Sequence, residues 1–344
     1  MVTFRLRDMW LPGVGAAAAA AIAAWGISTL VPGIPLLTAS VALGILVGQL
    51  PAARPALNGV LAPGLSVASK RLMRIGVVLL GLKLSLVDIA GLGWLTIGTT
   101  VAVLLVTLVG TYWLGRWFRL PGRQPLLIAT GFAICGASAI GAMSGVVKAK
   151  DEDTAVPVAL VTLFGTLAIV VLPALWHPLG LSTLQFGQWV GAGVHDVGQV
   201  VATAQVAGTA ALAVAVVVKL TRVVMLAPVI AVVSVVERRR VLVSSHGTSS
   251  APAADAAAPA VPLMPLFVAG FMIAVLVRTV LPVPDVVLAA ADIAQTALLA
   301  MALFGLGASV RLGPLLRTGW RALLVGLLSW TLIAALAYAA VQLA

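Results

Sequence analysis

The stretch that decides the fold is residues 131–145, which read Gly131-Phe-Ala-Ile-Cys-Gly-Ala-Ser-Ala-Ile-Gly-Ala-Met-Ser-Gly145. Its four glycines lower helix propensity inside a hydrophobic segment and let another backbone approach closely. The pattern predicts a membrane helix that is broken near its middle. At such a break, the N–H groups and positive dipole end of the second half-helix favour an anion. A packing seam of small residues between two helices explains the same pattern, and it stays open here.

The composition is that of a polytopic helical membrane protein. Of 344 residues, 62% are hydrophobic and 9% are charged, and apolar runs of about 20 residues recur from Leu11 to Ala344. The runs are continuous, whereas a membrane β-barrel has alternating segments. The first run has no clear small-residue cleavage site, so it is interpreted as a retained span. The single cysteine excludes an internal disulfide.

Eleven membrane spans are predicted from the apolar runs and from the Gly and Pro residues at their junctions. They are Leu11 to Leu30, Ile34 to Leu50, Met73 to Ala90, Trp94 to Trp117, Pro125 to Val147, Thr154 to Trp176, Phe186 to Ala207, Thr209 to Val236, Leu263 to Leu281, Val286 to Leu312 and Ala322 to Ala344. Residues 51–74 suit an interfacial helix or a plain loop. Residues 237–262 are rich in Ala, Ser and Pro and are predicted to be a flexible linker.

The distribution of Lys and Arg predicts the orientation, with the N-terminus and the linker in the cytoplasm and the C-terminus outside. The side predicted to be cytoplasmic carries Arg5, Arg7, Arg54, Lys70, Arg71, Arg74, Arg116, Arg119, Arg123, Arg238, Arg239, Arg240, Arg311, Arg317 and Arg321. The other side carries Lys148, Lys150 and Arg278, together with Asp88, Asp151, Glu152, Asp153 and Asp285. The net charge of +11 therefore reflects membrane topology and does not indicate nucleic acid.

An internal repeat is indicated by three short matches that occur in the same order, five spans apart. Val47-Gly-Gln-Leu matches Val197-Gly-Gln-Val, Lys83-Leu-Ser matches Lys219-Leu-Thr, and Gly136-Ala-Ser matches Gly307-Ala-Ser. The matches predict an extra N-terminal span in residues 1–33 and two inverted five-helix repeats in residues 34–180 and 181–344. In such repeats the equivalent broken helices, here the fifth and tenth spans, cross at mid-membrane near Gly136 and Gly307.

Several segments resemble the YeiH-like family of bacterial inner-membrane proteins, which carries the label of sulfate exporters. They are Arg74-Ile-Gly-Val-Val-Leu-Leu-Gly-Leu-Lys-Leu-Ser, Gly131-Phe-Ala-Ile-Cys-Gly-Ala-Ser-Ala-Ile, Gly191-Ala-Gly-Val-His-Asp-Val-Gly-Gln-Val and Lys219-Leu-Thr-Arg. The resemblance covers nearly the whole chain. It implies membership of the superfamily of bile-acid, auxin and arsenite carriers, with inverted repeats, crossing broken helices and a location in the inner membrane. The sequence itself does not establish sulfate as the substrate.

Charged residues inside spans are costly and usually face a cavity or a partner. Lys83 and Lys219 are symmetric under the predicted repeat, and Arg222 shares a helix face with Lys219. These cations are predicted to bind an oxyanion, although Lys83 alternatively extends past Asp88 to the surface. Asp292 is predicted to be a partly hydrated surface acid.

Asp196 is the acid predicted to lie deepest in a span, and its protonation is expected to couple transport to H+ or Na+. A static ion pair with a lysine is the alternative. His195 is assigned to the same coupling site, but a direct relay between His195 and Asp196 requires the segment to be unwound, because adjacent helical residues point about 100° apart. Gln199, with its repeat mate Gln49, is predicted to orient substrate or to pack between helices.

The predicted substrate site also includes the residues at the two helix breaks. They are Cys135, Gly136, Ala137, Ser138, Gly307 and Ser309. Cys135 is interpreted mainly as a small core residue, and the two serines offer hydroxyl groups beside the half-helix N-termini.

The function predicted from these features is secondary active transport of a small inorganic or organosulfur anion by alternating access, coupled to H+ or Na+. An anion channel and a non-transporting intramembrane enzyme or structural subunit are the alternatives. The facing acids of an intramembrane aspartyl protease, a metal cluster and a Walker A motif are all missing from the sequence, so we expect no enzyme, metal or cofactor. The expected partners are the anion, the coupling ion and the lipid bilayer, and a homodimer is left open.

Overall fold

A computed structural model describes residues 10–31, 35–83, 93–245, 266–309 and 319–343, and this part of the chain contains helices and no strand. The prediction of an all-helical polytopic membrane protein is confirmed. Some predicted features lie outside the described residues. They are Arg5, Arg7, Asp88, Arg311, Arg317 and the linker after Ser245.

Sixteen α-helices are present in the described residues. They are α1 (Leu11–Leu30), α2 (Leu36–Gln49), α3 (Arg54–Asn58), α4 (Ala62–Val67), α5 (Met73–Leu80), α6 (Gly93–Trp117), α7 (Gln124–Ala133), α8 (Ala137–Val146), α9 (Asp151–Trp176), α10 (Thr183–Gly193), α11 (Val197–Ala204), α12 (Thr209–Val224), α13 (Leu226–Ser245), α14 (Leu266–Val280), α15 (Asp285–Ser309) and α16 (Trp320–Leu343). A π-helical turn (Ala68–Leu72) joins α4 to α5, and 3₁₀ turns follow α5 (Gly81–Lys83) and α11 (Gln205–Ala207).

Six helical stretches in the described residues are long and apolar enough to cross a membrane. They are Leu11–Leu30, Gly93–Trp117, Asp153–Trp176, Thr209–Glu237, Asp285–Ser309 and Trp320–Leu343. Helices suit this environment because they satisfy the backbone hydrogen bonds within the segment. Shorter apolar helices lie in the second, fifth, seventh and ninth predicted spans. The described part of the third predicted span consists of α5 and the 3₁₀ turn that follows it.

The fifth predicted span does not cross the bundle, because α7 and α8 fold back on each other. A Cβ atom added to Gly131 would lie 2.7 Å from Cδ1 of Ile140, whereas nine residues of straight helix span about 13 Å. A Cβ atom added to Gly122, before α7, would likewise lie 2.7 Å from Oδ1 of Asp153 in α9. We name α7, residues 134–136 and α8 hairpin 1. Both of its ends lie at the same end of the bundle.

The seventh predicted span also folds back. A Cβ atom added to Gly187 would lie 3.0 Å from Cα of Ala211, and one added to Gly191 would lie 3.0 Å from Cα of Ala215. Helices α10 and α12 therefore run side by side in the same direction, and α11 must return the chain to the end where α10 began. We name α10, residues 194–196, α11 and its 3₁₀ turn hairpin 2.

The two hairpins enter the bundle from opposite ends. Hairpin 1 opens at the end where Arg123 makes a bidentate ion pair with Glu237, at 2.8 and 3.0 Å, and we name this the Arg123 end. Hairpin 2 opens at the other end, where the Tyr338 hydroxyl donates to the Leu179 carbonyl at 3.4 Å, and we name this the Tyr338 end. Helix α9 joins them, and its 26 residues span about 39 Å.

This geometry corrects the predicted topology. Lys148, Lys150 and Asp153 were predicted to lie on the side opposite Arg123, but the contact between Gly122 and Asp153 puts the start of α9 at the Arg123 end. The cause is the fold-back at each break, which replaces two predicted crossings by two hairpins. Because both hairpins return to the end they left, the prediction of termini on opposite sides is unaffected. Which end is cytoplasmic stays a prediction.

The tenth predicted span is not broken at Gly307. Helix α15 continues through it to Ser309, and a Cβ atom added to Gly307 would lie 3.1 Å from Cα of Gly44 in α2. The small residues on α15 therefore form a close packing seam with α2, so the predicted break and crossing at Gly307 are wrong. Gly136 instead meets the tip of hairpin 2. The inverted repeats and the division at residues 33 and 180 stay predictions.

The helices form two groups, with the hairpins in the larger one. Helices α6, α9, α12 and α16 pack around the hairpins, and we name this set, with both hairpins and α13, the hairpin group. Helices α1, α2, α4, α5, α14 and α15 pack mainly on one another, and we name them the wall group. The wall group contacts the hairpin group along α11, which packs on α2 and α15.

Candidate functional site

The site is centred on the tips of the two hairpins, residues 134–136 and 194–196. Gly136 has φ +67° and ψ −133°, a conformation that L-residues rarely adopt. Val194 and Asp196 are extended, with ψ values of 150° and 148°. A Cβ atom on Gly136 would lie 3.8 Å from Cβ of both His195 and Asp196. The tips therefore touch in the middle of the bundle.

Arg222 of α12 ties the two tips together and is fully buried. Its Nη2 donates to the carbonyls of Phe132 at 2.8 Å and Ala133 at 2.6 Å, at the end of α7. Its Nη1 donates to the carbonyls of Ala192 at 2.7 Å and Val194 at 3.0 Å, at the end of α10. One guanidinium thus satisfies carbonyls at the C-terminal ends of both half-helices.

Lys219, one turn before Arg222, has the same role and is also fully buried. Its Nζ donates to the carbonyl of Ile134 at 2.6 Å and to that of Val194 at 3.0 Å. Cations are favourable at these positions because a helix C-terminus carries a partial negative charge and unpaired carbonyls. The structure therefore corrects the predicted placement of Lys219 and Arg222: they hold the hairpin tips and do not line the cavity.

His195 adds a third link between the tips. Its Nδ1 lies 3.2 Å from the carbonyl of Phe132, and because a carbonyl only accepts, Nδ1 is the donor. The ring packs on the Phe132 ring, with centroids 4.4 Å apart, and is fully buried. Its Nε2 has no hydrogen-bond partner in the described part of the chain. The segment is unwound here, which is the condition for a direct relay between His195 and Asp196, but His195 does not line the cavity described below.

Asp196 caps the N-terminus of α11. Its Oδ1 accepts from the N–H of Gly198 at 2.8 Å, and the Gln199 side chain accepts from the Asp196 N–H at 3.2 Å, which together form a capping box. Gln199 also donates to the carbonyl of Thr162 at 3.4 Å. Among residues 93–245, Asp196 makes no ion pair with Lys219 within 4.0 Å. The static pair with a lysine is therefore not observed.

A cavity of about 560 Å³ lies between the hairpin tips and the wall group. Cys135, Ala137 and Ser138 of hairpin 1 line it, and so do Asp196 and Val197 of hairpin 2. The N-termini of α8 and α11 thus face one space. Helix α8 has no side-chain cap, because its N-cap residue is Gly136.

The cavity also has a basic wall. In the sequence analysis its two residues served only to predict the membrane orientation. Lys70, in the π-helical turn, and Arg74, in α5, both line it. Arg74 also lies over the ring of Phe267, 5.7 Å from its centroid. The cavity reaches Asn58 of α3, which belongs to the Arg123 end because α2 starts at the other end, where Thr38 accepts from Gln205 at 3.2 Å.

The remaining predicted site residues are separated by the structure. Lys83 pairs with Asp292, with side chains that are 28% and 53% exposed, and neither residue lines the cavity. That Asp292 is a partly hydrated surface acid stays a prediction. Gly307 packs on α2, and Gln199 is a buried cap. Ser309 does line the cavity, and its hydroxyl donates to the carbonyl of Leu306 at 2.6 Å.

One missed feature had a signal in the sequence. Asp196 and Gln199 have the spacing of a capping box, a helix-start signature, and they occur in the middle of a hydrophobic run. That signature predicts a new helix at Val197 and therefore a break before it. Within the described residues, no group of three or more His, Cys, Asp or Glu side chains is placed to hold a metal ion.

Comparisons with known proteins identify the family. The family model described as Conserved hypothetical protein 698 matches residues 12–326. A UPF0324 membrane protein of Corynebacterium glutamicum is 37% identical over 333 residues, which cover 96% of this chain and 91% of that protein. Similar UPF0324 membrane proteins occur in Ralstonia nicotianae (33% over 304 residues, 87% of this chain and 82% of that protein) and Bacillus cereus (32% over 282 residues, 80% and 78%).

No solved structure matches the chain. The chain belongs to this family of membrane proteins, and the resemblance to the YeiH-like family is confirmed.

Proposed function

We propose that this membrane protein is a secondary transporter of a small anion in the bacterial inner membrane. The observation that carries the proposal is the pair of opposed hairpins whose tips meet beside a cavity lined by Lys70 and Arg74. Short half-helices that end at mid-membrane are costly to build, because their terminal backbone groups need partners away from water. Such discontinuous helices are typical of transporter substrate sites.

The charges near the tips favour an anion. Two basic side chains, Lys219 and Arg222, are buried behind the tips, and the cavity face adds Lys70, Arg74 and one acid, Asp196. The N-termini of α8 and α11 contribute partial positive charge on the same face. An anion bound near Ala137 and Ser138 would lie in a region of net positive potential, with N–H groups of α8 as donors.

The links between the tips determine how access can alternate. Arg222, Lys219 and His195 each donate to a carbonyl of one or both hairpins. Separating the hairpins would leave these buried groups without partners, which is expensive in a membrane. The hairpins are therefore expected to move as one body against the wall group. In the described conformation the cavity extends toward the Arg123 end, which the sequence predicts to be cytoplasmic.

Asp196 is proposed to couple anion binding to a proton. Its carboxyl group lines the same cavity as the anion site and is not neutralised by an ion pair within 4.0 Å in the described residues. An anion close to Asp196 would favour the protonated carboxyl, so the anion and the proton would move together. Coupling to Na+ is distinguished from coupling to H+ by imposing a Na+ gradient in place of the pH gradient.

The test is uptake into proteoliposomes. Thermal-shift screening against sulfate, sulfite, thiosulfate, sulfonates and carboxylates first identifies stabilising anions. Uptake of the best anion is then measured with and without an imposed pH gradient. Arg74→Gln should weaken binding about tenfold or more, the value of a lost charge-assisted hydrogen bond. Arg116→Gln, at an exposed basic position outside the cavity, is the matched control and should have no effect.

Two results would contradict the proposal. The first is that no anion stabilises the protein and none is taken up, while the protein remains folded and monodisperse. The second is that Arg74→Gln and Arg116→Gln reduce uptake equally, because the cavity would then have no special role. Uptake that does not saturate with anion concentration would instead favour the channel alternative.

A further inference from the structure

The walls of the cavity are chemically divided. The hairpin tips and the basic wall supply Ser138, Asp196, Lys70 and Arg74. The rest of the lining is mostly apolar and comes from several helices of both groups, although it also includes the polar side chains of Asn58, Ser66, Ser69, Thr162 and Ser309. Its members include Leu65, Met73, Val223, Leu226, Phe267 and Leu306. A ligand that fills this cavity therefore meets charge at one part of its surface and hydrocarbon at another.

The size of the cavity also favours a ligand that has both a charged and an apolar part. Cavities of about 300–1,000 Å³ are typical of sites for small organic molecules, and this one is about 560 Å³. A five-atom oxyanion such as sulfate would occupy a small part of it. Sulfate also needs hydrogen bonds on all sides, and the apolar part of the lining offers none, so the hydration lost on that side would not be replaced.

Arg74 lies where the two kinds of wall meet. Its guanidinium is 5.7 Å from the centroid of the Phe267 ring, and both residues line the cavity. A ligand whose acidic group is bound by Arg74 therefore has its neighbouring atoms close to the Phe267 side chain. That arrangement suits a head group carried on a short apolar chain.

We infer that the cavity binds a soluble organic anion, with a sulfonate or carboxylate head at the hairpin tips and an apolar part against Phe267 and Leu306, in preference to a bare inorganic oxyanion. The inference deepens the proposed function by naming the substrate class, and it rests on the same cavity. It predicts that affinity depends on the apolar part of the ligand as well as on its charge.

The experiment measures binding of a series of alkanesulfonates to the full-length protein in phosphatidylcholine nanodiscs. Methanesulfonate, ethanesulfonate, butanesulfonate and hexanesulfonate are compared with sulfate. Each buried methylene should increase affinity about threefold to fourfold until the chain fills the cavity. Sulfate should bind more weakly than butanesulfonate. Butyltrimethylammonium, which has the chain but the opposite charge, should not bind.

Variants separate the two ends of the ligand. Phe267→Ala should reduce the gain per methylene while leaving methanesulfonate binding nearly unchanged. Arg74→Gln should weaken all the sulfonates by a similar factor. Leu266→Ala, at the neighbouring and 89% exposed position, is the matched control and should change neither quantity. Leu306→Ala gives a second test of the apolar wall if Phe267→Ala lowers the yield of folded protein.

The outcomes distinguish this inference from the proposed function. If sulfate binds as tightly as butanesulfonate, or the gain per methylene survives in both Phe267→Ala and Leu306→Ala, the inference is wrong and anion transport still stands. If no anion binds, the proposed function itself fails. Phosphatidylglycerol in the nanodiscs should not compete with butanesulfonate, and competition would mean that a lipid occupies the cavity, which also overturns the inference.

Discussion

Hairpin 1 and hairpin 2 have the same order of elements, but their tips differ in sequence. Each has a half-helix, a three-residue break and a second half-helix, and each ends its first half-helix on the shared donors Lys219 and Arg222. At the start of the second half-helix they differ. Hairpin 2 has Asp196, whose carboxylate caps α11, whereas hairpin 1 has Gly136, which has no side chain to cap α8.

The difference suggests different functions for two similar helix N-termini, those of α8 and α11. Both favour a negative group because of their N–H groups and dipole. At α11 the chain supplies that group itself, and a carboxyl can also be switched by a proton. At α8 the N-cap residue supplies no such group, so a bound anion would meet a helix N-terminus without a side-chain cap. We infer that hairpin 1 serves the substrate anion and hairpin 2 serves the coupling ion.

The largest expected effect is the sidedness of hairpin 1, because it is all-or-none. In a Cys135→Ala background, which is free of cysteine, single cysteines are placed by Pro121→Cys, Lys150→Cys and His177→Cys. A membrane-impermeant maleimide should label the first two from one side and the third from the other. The fold-back is the reason, since residues 121 and 150 flank hairpin 1 and residue 177 follows the crossing helix α9.

A continuous fifth span gives a different pattern. It would put residue 150 on the side opposite residue 121, and residue 177 on the same side as residue 121. Labelling in that pattern would remove the comparison between the hairpins. Right-side-out and inside-out vesicles provide the two measurements.

The next largest effect is a loss of stability on replacing Arg222 or Lys219, which donate to carbonyls of both hairpins. Arg222→Gln removes donors to carbonyls of both half-helices and should destabilise the fold by several kcal/mol, since each buried carbonyl left without a donor costs about 1–3 kcal/mol. Lys219→Gln should cost less, because it has two acceptors. The measurement is the thermal unfolding midpoint in detergent, together with the yield of monodisperse protein.

Lys83→Gln is the matched control for Lys219→Gln. Lys83 is paired with Asp292 at a partly exposed position, where an ion pair contributes at most about 1 kcal/mol. Equal loss of stability in the two lysine variants would show that the buried hydrogen bonds of Lys219 contribute no more to stability than the partly exposed ion pair of Lys83. A wild-type midpoint for Arg222→Gln would refute the shared support of the hairpins.

A smaller effect tests the tip of hairpin 1. Gly136→Ala forces a Cβ atom into a conformation with φ +67° and should cost about 1–3 kcal/mol, although the Cβ itself meets nothing closer than 3.8 Å. Gly141→Ala, one turn further along α8, is the control. It lies in open space within the helix and should be neutral or stabilising by up to about 1 kcal/mol.

Thermal midpoints of these two variants decide between backbone strain and packing. If Gly136→Ala is as stable as Gly141→Ala, the break at hairpin 1 does not depend on glycine. Anion binding should fall in Gly136→Ala alone, because shifting the tip moves the N–H groups of α8.

The sequence predicts the break in the fifth span, but it does not predict the direction that the chain takes after the break. The glycines of residues 131–145 predict the break at Gly136, because a left-handed backbone needs glycine, and they cannot tell a crossing helix from one that folds back. That choice depends on the contact between Gly131 and Ile140, which is tertiary. The Gly307 prediction failed because the same small residues serve close packing of α15 on α2. Lys219 and Arg222 are recognisable as buried cations, but their carbonyl acceptors become visible only once the tips are placed.

The smallest expected change in stability, and the most informative about function, is at the tip of hairpin 2. Asp196→Asn keeps an oxygen that can accept from the Gly198 N–H, so its stability should stay within a few tenths of a kcal/mol of wild type. Asp196→Ala removes the cap and should cost about 1 kcal/mol. The two variants therefore separate the cap from the charge.

The charge is tested by the pH dependence of anion binding and uptake. In the wild type, protonation of Asp196 removes a negative charge that faces the same cavity as the anion, so affinity should rise as pH falls. Arg74, which lines the same cavity, stays in place in the variant. Asp196→Asn should therefore bind the anion at every pH as the wild type does at low pH, and its uptake should no longer respond to an imposed pH gradient. If the variant keeps the wild-type pH dependence, Asp196 is only a helix cap, and the two hairpin tips differ in structure without differing in function.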